Sequence, residues 1–157
     1  MAAMSPQKRG GPPAASTGNN IDPERVRAAL VAVGDWIAAG EEEVSTGAVP
    51  RPSRAAVAEA CRLSAALLGE DAPGHSVEVR VPPFAAVQCI AGSVHRRGTP
   101  PNVVQCAPRT WLRLATGLDT LADAVAAGAE VSGAHAGDVA HWLPVVDLGW
   151  GPGRVGA

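Results

Sequence analysis

The strongest constraint on the fold is a stretch in which valines alternate with charged residues. In the segment HSVEVRVPP, Val77, Val79 and Val81 are separated by a glutamate and an arginine. Successive side chains of a strand point to opposite faces of a sheet, so this spacing predicts a strand with one buried face and one wetter face. The two prolines that follow end the strand, because a central strand cannot lose their backbone donors.

Two further strands are predicted downstream. Residues Phe84–Ile90 supply the second strand and Val103–Cys106 the third, and the segment RRGTPPN lies in the connection between them. Its Gly-Thr-Pro-Pro composition is typical of a stiff loop. We therefore expect strands two and three to form an antiparallel hairpin with a wide loop, and Asn102 to begin the third strand.

Two helices are predicted before the first strand. Asp22 can cap an amphipathic helix that runs to Gly40. Ser53 can cap a second helix, which Gly69 is expected to close. The connection between them, EEEVSTGAVPRP, is charged and contains prolines, and we interpret its three glutamates as a solvated run.

Shorter elements follow the third strand. They are a helix from Pro108 to Gly117, a helix ended by Gly128, a short strand at Glu130–Gly133 and a last helix at Gly137–Leu143. Strands that run together and are followed mostly by helices predict an α+β fold, with a small, mostly antiparallel sheet covered by helices. The chain of 157 residues suits one compact body.

The composition along the chain divides it into four segments. We predict a disordered arm at 1–20, a helical leader at 21–70, a folded domain at 71–146 and a flexible, Gly-rich tail at 147–157.

Charge and cysteine content narrow the partners and the compartment. A net charge of −2 gives no basic face or stripe, so no nucleic-acid partner is expected. The N-terminus lacks the apolar stretch of a secretory signal, so secretion is not predicted. The sequence contains no run of about 18 apolar residues, so integral membrane association is not predicted either. Three cysteines are an odd and unspaced set for a disulfide framework, which favours reduced thiols in the cytoplasm.

Motifs that suggest chemistry are weak. The glycines of the C-terminal tail have the spacing of a dinucleotide fingerprint, but no helix follows them to receive a pyrophosphate. Cys89, Cys106, His75 and His95 can meet across the expected hairpin, yet closely spaced ligand pairs are lacking, so neither a metal nor another cofactor is predicted. A Cys89 nucleophile with His95 as its base is a lesser alternative.

Two tryptophans are candidates either for the core or for a ligand cavity. Trp111 begins one helix and Trp142 lies in the last helix. Large aromatic side chains at such positions usually pack in the core, but they can also line an apolar cavity between helices and sheet.

A family resemblance emerges from the stretches VEVRVPPFAAVQCIAG, RRGTPPNVV, PRTWLRLATG, TLADAVAAG and EVSG. Together they resemble the bacterial sterol-carrier ortholog family, a divergent branch of the sterol carrier protein superfamily. The resemblance covers about residues 75–146, and residues 21–70 match only as a helical leader. It implies a layered fold in which a sheet and helices enclose an apolar tunnel for a lipid or another hydrophobic molecule.

The resemblance also implies a ligand site and no catalytic residue. One wall is expected from the sheet and one from the helices, with two polar residues at the mouth for a polar head. The sheet wall comprises Val77, Val79, Val81 and Phe84; the helical wall comprises Trp111, Leu114, Leu121, Val125 and Trp142; the mouth comprises Arg97 and Asn102.

Three functional hypotheses remain at this point. The first is a non-catalytic carrier of a lipid or other hydrophobic molecule. The second is an interaction module, in which the leader and the sheet form a homodimer or partner surface without a ligand. The third is a thiol-dependent enzyme related to the mycothiol-dependent maleylpyruvate isomerases, whose C-terminal domains share the helix and glycine pattern.

Overall fold

A computed structural model describes residues 20–92 and 102–151. The helices are α1 (Pro23–Ala32), α2 (Gly34–Ala38), α3 (Glu41–Ser45), α4 (Arg54–Asp71), α5 (Pro108–Ala115) and α6 (Leu121–Ala126), with a 3-10 helix, η1, at Ala136–Trp142. The strands are β1 (Val77–Val81), β2 (Ala85–Cys89), β3 (Val103–Gln105) and β4 (Glu130–Ser132). The predicted α+β class is confirmed.

The first predicted helix is two helices. Asp22 caps α1 as expected, since its side chain accepts a hydrogen bond from the Glu24 backbone N–H at 3.0 Å. Val33 then leaves helical geometry, and α2 begins at Gly34. A Cβ atom at Gly34 would lie 2.8 Å from the Trp150 ring, so the glycine makes room for a side chain from the far end of the chain. Residues 147–151, which the sequence places in a flexible tail, therefore include an indole that packs on the core.

The acidic run after Gly40 is solvated, as predicted, but it is helical. All three glutamates are exposed, and they form the first turn of α3. The Glu43 carboxylate accepts a hydrogen bond from the Gly40 N–H at 2.8 Å, which satisfies a donor at the start of the helix.

Helix α4 begins where the sequence predicts and ends later. Ser53 caps it by accepting from the Ala56 N–H at 3.1 Å. The prediction that Gly69 closes the helix is wrong, because the helix continues to Asp71. A Cβ atom at Gly69 would lie 2.7 Å from Val87 Cγ2, so this glycine allows α4 to approach β2 closely.

The strands form a four-stranded mixed sheet in the order β2-β1-β3-β4. Strand β1 is antiparallel to β2 and parallel to β3, and β3 is antiparallel to β4. The predicted hairpin between β2 and β3 is therefore wrong. Both edges of β1 accept a partner, and the chain crosses from one edge to the other instead of turning back directly.

Helices cover one face of the sheet. Val79 lies opposite Val87 in the β1–β2 register, and Val87 contacts α4 at Gly69, so the valines of β1 face this helix. The opposite face carries Glu78 and Arg80, whose side chains form an ion pair at 3.1 Å. The alternation in the sequence thus predicts both faces correctly.

The leader and the sheet region share one hydrophobic core. Val26 and Leu30 of α1 and Ile37 of α2 are fully buried in the same cluster as the β1 valines. Helix α1 packs against α4, and α2 packs against α5. The last predicted helix is η1, a tighter 3-10 helix that packs against β1 and β4.

Candidate functional site

The predicted sheet wall lies in the packed interior. Val77, Val79 and Val81 each have 0% of their surface exposed. Five cavities of about 270–660 Å³ lie on the described part of the chain, and none of these five is lined by a β1 valine. These valines belong to the hydrophobic core cluster that the sheet shares with the helices.

The first part of the helical wall is packed as well. Trp111 and Leu114 of α5 are fully buried. The Trp111 Nε1–H donates to the Ser64 hydroxyl at 2.9 Å, and that hydroxyl donates to the Ala60 carbonyl at 2.6 Å. Of the two readings of Trp111, core packing with a satisfied indole describes the observed contacts.

Phe84 lies at the turn between β1 and β2, half-buried against the core. The guanidinium carbon of Arg54 lies 5.1 Å from the centre of its ring, and Arg62 donates to its carbonyl at 3.2 Å. Phe84 therefore packs beside α4, the helix that covers the inner face of the sheet.

Of the two residues predicted at the mouth of the site, Asn102 is described by the structure and Arg97 is not. Asn102 is 4% exposed, and its amide joins two segments: Nδ2 donates to the Ser76 carbonyl and Oδ1 accepts from the His135 N–H, each at 2.8 Å. The side chain is thus occupied by backbone partners. Arg97 lies outside the described residues, as does most of the RRGTPPN connection.

The remaining helical-wall residues do not converge on one point. Leu121 is half-buried at the start of α6, while Val125 of the same helix is 49% exposed. Trp142 is 42% exposed and lines a separate surface cavity with Ile90, Asp138 and His141.

Leu114 and Leu121 share a cavity of about 300 Å³. We call it the α5–α6 cavity, and its other lining residues are Gly117, Asp119, Thr120, Ala140, Leu143 and Pro144. Asp119 is neutralised by Arg113, whose Nε and Nη2 contact its two carboxylate oxygens at 2.7 and 2.9 Å. What remains for a ligand is mostly apolar surface between α5, α6 and the chain that follows η1.

The largest of the five cavities lies in the leader, and sequence reasoning missed it. It has a volume of about 660 Å³. We call it the leader cleft, and it is lined by Ala32, Val33, Asp35, Trp36, Ala38, Ala39, Glu43, Ala48, Val49, Pro50, Arg51 and Pro52. The sequence feature that indicates this cleft is a tryptophan in the first predicted helix followed by the segment GAVPRP. The prolines of this segment fix the backbone φ angle and so stiffen one side of the cleft.

The cysteines have the environment of structural thiols. All three are buried and free. Burial raises the pKa of Cys61 and of Cys106 to about 12 and that of Cys89 to about 11. Since the thiolate is the nucleophile, these groups are poorly reactive at neutral pH. His95, the base proposed for Cys89, lies outside the described residues.

Cys89 and Cys106 also lie on opposite sides of β1, since β2 and β3 are not neighbours. The route by which a hairpin brings them together is therefore wrong. Within residues 20–92 and 102–151, no group of three or more His, Cys, Asp or Glu side chains is placed to hold a metal ion. None of the helices in these ranges combines the length and apolar character of a bilayer span.

The fold defines an α+β protein with a mixed sheet covered by helices on one face. A family model described as bacterial SCP ortholog matches residues 53–145, from the cap of α4 to the segment after η1. The chain belongs to this family, and the resemblance seen in the sequence is confirmed. No curated protein matches the chain.

Proposed function

We propose that this protein is a non-catalytic carrier of a lipid or another hydrophobic small molecule. Its membership of the bacterial SCP ortholog family supports carriage as the type of function. The three buried thiols with raised pKa values favour binding over thiol chemistry. Unpaired cysteines also suit a reducing compartment, so we propose a cytoplasmic location.

The observation that carries the proposal is the α5–α6 cavity. It brings together Leu114 and Leu121, two residues expected in the helical wall, and its volume lies at the lower end of the roughly 300–1,000 Å³ typical of ligand pockets. Leu114 belongs to the same hydrophobic core cluster as the β1 valines. We propose that the ligand binds on the outer side of α5, with its polar group towards Asp119 and Thr120. The proposal also includes Arg97 as a cation for the polar group of the ligand.

The first test is to ask what the purified protein holds. Mass spectrometry under native and denaturing conditions is expected to reveal a co-purified apolar molecule. Saturable binding of the neutral fluorophore N-phenyl-1-naphthylamine is expected as well, because the cavity is apolar and its one carboxylate is paired.

A pair of variants on α6 locates the site. Leu121→Trp fills the α5–α6 cavity and is expected to weaken fluorophore binding at least about tenfold, which corresponds to about 1.4 kcal/mol. Val125→Trp is the matched control, since Val125 is 49% exposed and lies outside the cavity. Equal binding by both variants, or no saturable binding by the parent, contradicts the proposal. A stable dimer that holds no ligand would instead favour the interaction module.

A further inference from the structure

The leader cleft combines an apolar floor with unused polar groups. Val33, Trp36 and Ala39 are its buried lining residues, which we call its floor, and Pro50 and Pro52 line it as well. Its volume of about 660 Å³ is within the range of small-molecule sites. All of the residues that line the cleft precede residue 53, where the family match begins, so family membership does not account for it.

The Trp36 indole supplies a donor without an acceptor. Trp36 is 5% exposed, and its buried Nε1–H is the side-chain group that finds no hydrogen-bond partner among the described residues. Buried tryptophan N–H groups usually have a partner, as Trp111 does with Ser64. The indole N–H has almost no accessible surface, so an acceptor on a bound molecule reaches it only when the side chains that cover it move aside.

Arg51 supplies a cation beside the same indole. Its guanidinium carbon lies 5.7 Å from the centre of the Trp36 ring. Arg51 is exposed, and within residues 20–92 and 102–151 it forms no ion pair. A carboxylate has two oxygens, so one group can accept from the indole N–H and from the guanidinium together.

The other charges of the cleft limit what kind of anion fits. Asp35 and Glu43 also line it, so two carboxylates share the cleft with Arg51. Glu43 accepts a hydrogen bond from the Gly40 N–H, and both Glu43 and Asp35 are exposed negative charges. A single negative charge next to Arg51 is favoured over the two charges of a phosphate monoester. The floor and the prolines favour an apolar body on the remainder of the ligand.

The floor of the cleft is held in place from outside. Arg109 of α5 donates from Nε to the Trp36 carbonyl at 3.0 Å and from Nη2 to the Ala39 carbonyl. Arg113 donates to the Ile37 carbonyl at 2.6 Å. These contacts fix the backbone that carries the indole, which is the support that a preformed site requires.

We propose that the leader cleft binds a small aromatic or short-alkyl monocarboxylate, with its carboxylate between Arg51 and the Trp36 indole N–H. This site is separate from the α5–α6 cavity and does not depend on the proposed carrier function.

The test observes the indole directly. In a ¹H–¹⁵N spectrum, the Trp36 indole resonance, assigned by its loss in Trp36→Phe, is expected to shift saturably on addition of 3-phenylpropionate. The alcohol and the amine of the same skeleton, 3-phenylpropan-1-ol and 3-phenylpropylamine, are the matched probes. Each is expected to bind at least about tenfold more weakly, since neither gives Arg51 a charged acceptor.

Two arginine variants complete the test. Arg51→Gln is expected to weaken 3-phenylpropionate binding at least about tenfold. Arg54→Gln is the matched control, because Arg54 also lies over an aromatic ring, that of Phe84, but outside the cleft. Both arginines are exposed, so the fold is expected to survive either change.

The proposal is overturned if the Trp36 resonance stays in place up to about 10 mM 3-phenylpropionate, if the amine binds as well as the acid, or if Arg54→Gln weakens binding as much as Arg51→Gln. Leu121→Trp is expected to leave this shift unchanged. Loss of the shift in that variant would mean that the acid binds in the α5–α6 cavity instead. That result would contradict the leader-cleft site without contradicting the carrier proposal.

Discussion

The Trp111 indole N–H lies 2.9 Å from the Ser64 hydroxyl oxygen and donates to it from the centre of the core. Both residues are fully buried, and 47 positions of sequence separate them. The hydrogen bond joins α5 to α4. It also explains why a polar serine can lie on the buried stripe of a long helix.

Ser64→Ala is therefore expected to destabilise the protein by about 1–3 kcal/mol, because it leaves the buried indole donor without an acceptor. Urea denaturation followed by circular dichroism measures the change. Ser45→Ala is the control, since the Ser45 hydroxyl is exposed and bonds to the Glu42 carbonyl of its own helix. Equal midpoints for the two variants would mean that the Trp111 contact contributes nothing.

The attachment of the leader to α5 is expected to depend on Arg109. This side chain is 13% exposed, donates to the carbonyls of Trp36, Ile37 and Ala39, and contacts Glu41. Arg109→Met keeps much of the aliphatic length and removes the Arg109 donor from the Trp36 and Ala39 carbonyls, while the Ile37 carbonyl keeps its hydrogen bond from Arg113. We expect a loss of about 2–3 kcal/mol, with faster amide exchange in residues 34–40.

Arg25→Met is the control for this prediction. Arg25 pairs with Glu59 on the surface, where the two side chains are 66% and 51% exposed, and such pairs contribute about 0–1 kcal/mol. A similar cost for both variants would contradict a special role for Arg109.

The sequence was sufficient to predict the four strands and most of the helices, but it missed α3 and the break between α1 and α2, and it did not predict how the strands pair. The alternation of Val77, Val79 and Val81 is a local signal, because a strand with one buried face needs it whatever its neighbours are. The partner of β3 is not local: β1 offers two free edges, and either choice preserves the same alternation. For that reason the strand positions are correct and the β2–β3 hairpin is not.

The predicted site shows the same limit. Trp111 and Asn102 look available in the sequence, but each is occupied by a partner from a distant segment, Ser64 for the first and Ser76 and His135 for the second. Conversely, nothing in the sequence indicates that Arg51 and Trp36 lie together. Their contact forms because the chain between α2 and α4 places Arg51 over the indole ring. Such long-range pairings depend on the tertiary structure and leave no spacing to detect.

The close approach of α4 to β2 predicts that Gly69 does not tolerate a side chain. Gly69→Ala gains about 1 kcal/mol of helix propensity but places Cβ 2.7 Å from Val87 Cγ2. Overpacking of about 1–3 kcal/mol opposes that gain, so we expect a net loss of stability in urea denaturation. If Gly69→Ala stabilises the protein, the helix and the strand are further apart than described.

Two further variants check that the cause is steric. Gly137→Ala is the control, because a Cβ atom there has no neighbour within 4 Å among the described residues and the backbone φ is not positive. Val87→Ala removes the opposing methyl groups. The double variant Gly69→Ala/Val87→Ala is expected to lose less stability than the sum of the two single changes.

The buried thiols predict how stability depends on alkaline pH. In the unfolded chain a thiol ionises near its ordinary pKa of 9.0, whereas burial raises the pKa of Cys61 and Cys106 to about 12. The unfolded state therefore releases protons first as the pH rises. The contribution of each buried thiol to the free energy of unfolding is fully present below about pH 9 and is lost progressively between about pH 9 and pH 12. The loss is of the order of 2 kcal/mol per thiol near pH 10.5.

The composition makes this measurable, because the chain has no tyrosine and a single lysine. Thiolate absorbance near 240 nm is therefore free of tyrosinate, and urea midpoints can be compared at about pH 8 and about pH 10.5. Cys106→Val removes one of these thiols from a buried position and is expected to reduce the pH dependence. Thiolate absorbance in the folded protein below about pH 9 would contradict the prediction and revive the thiol-enzyme hypothesis, because a nucleophilic cysteine needs its thiolate at neutral pH.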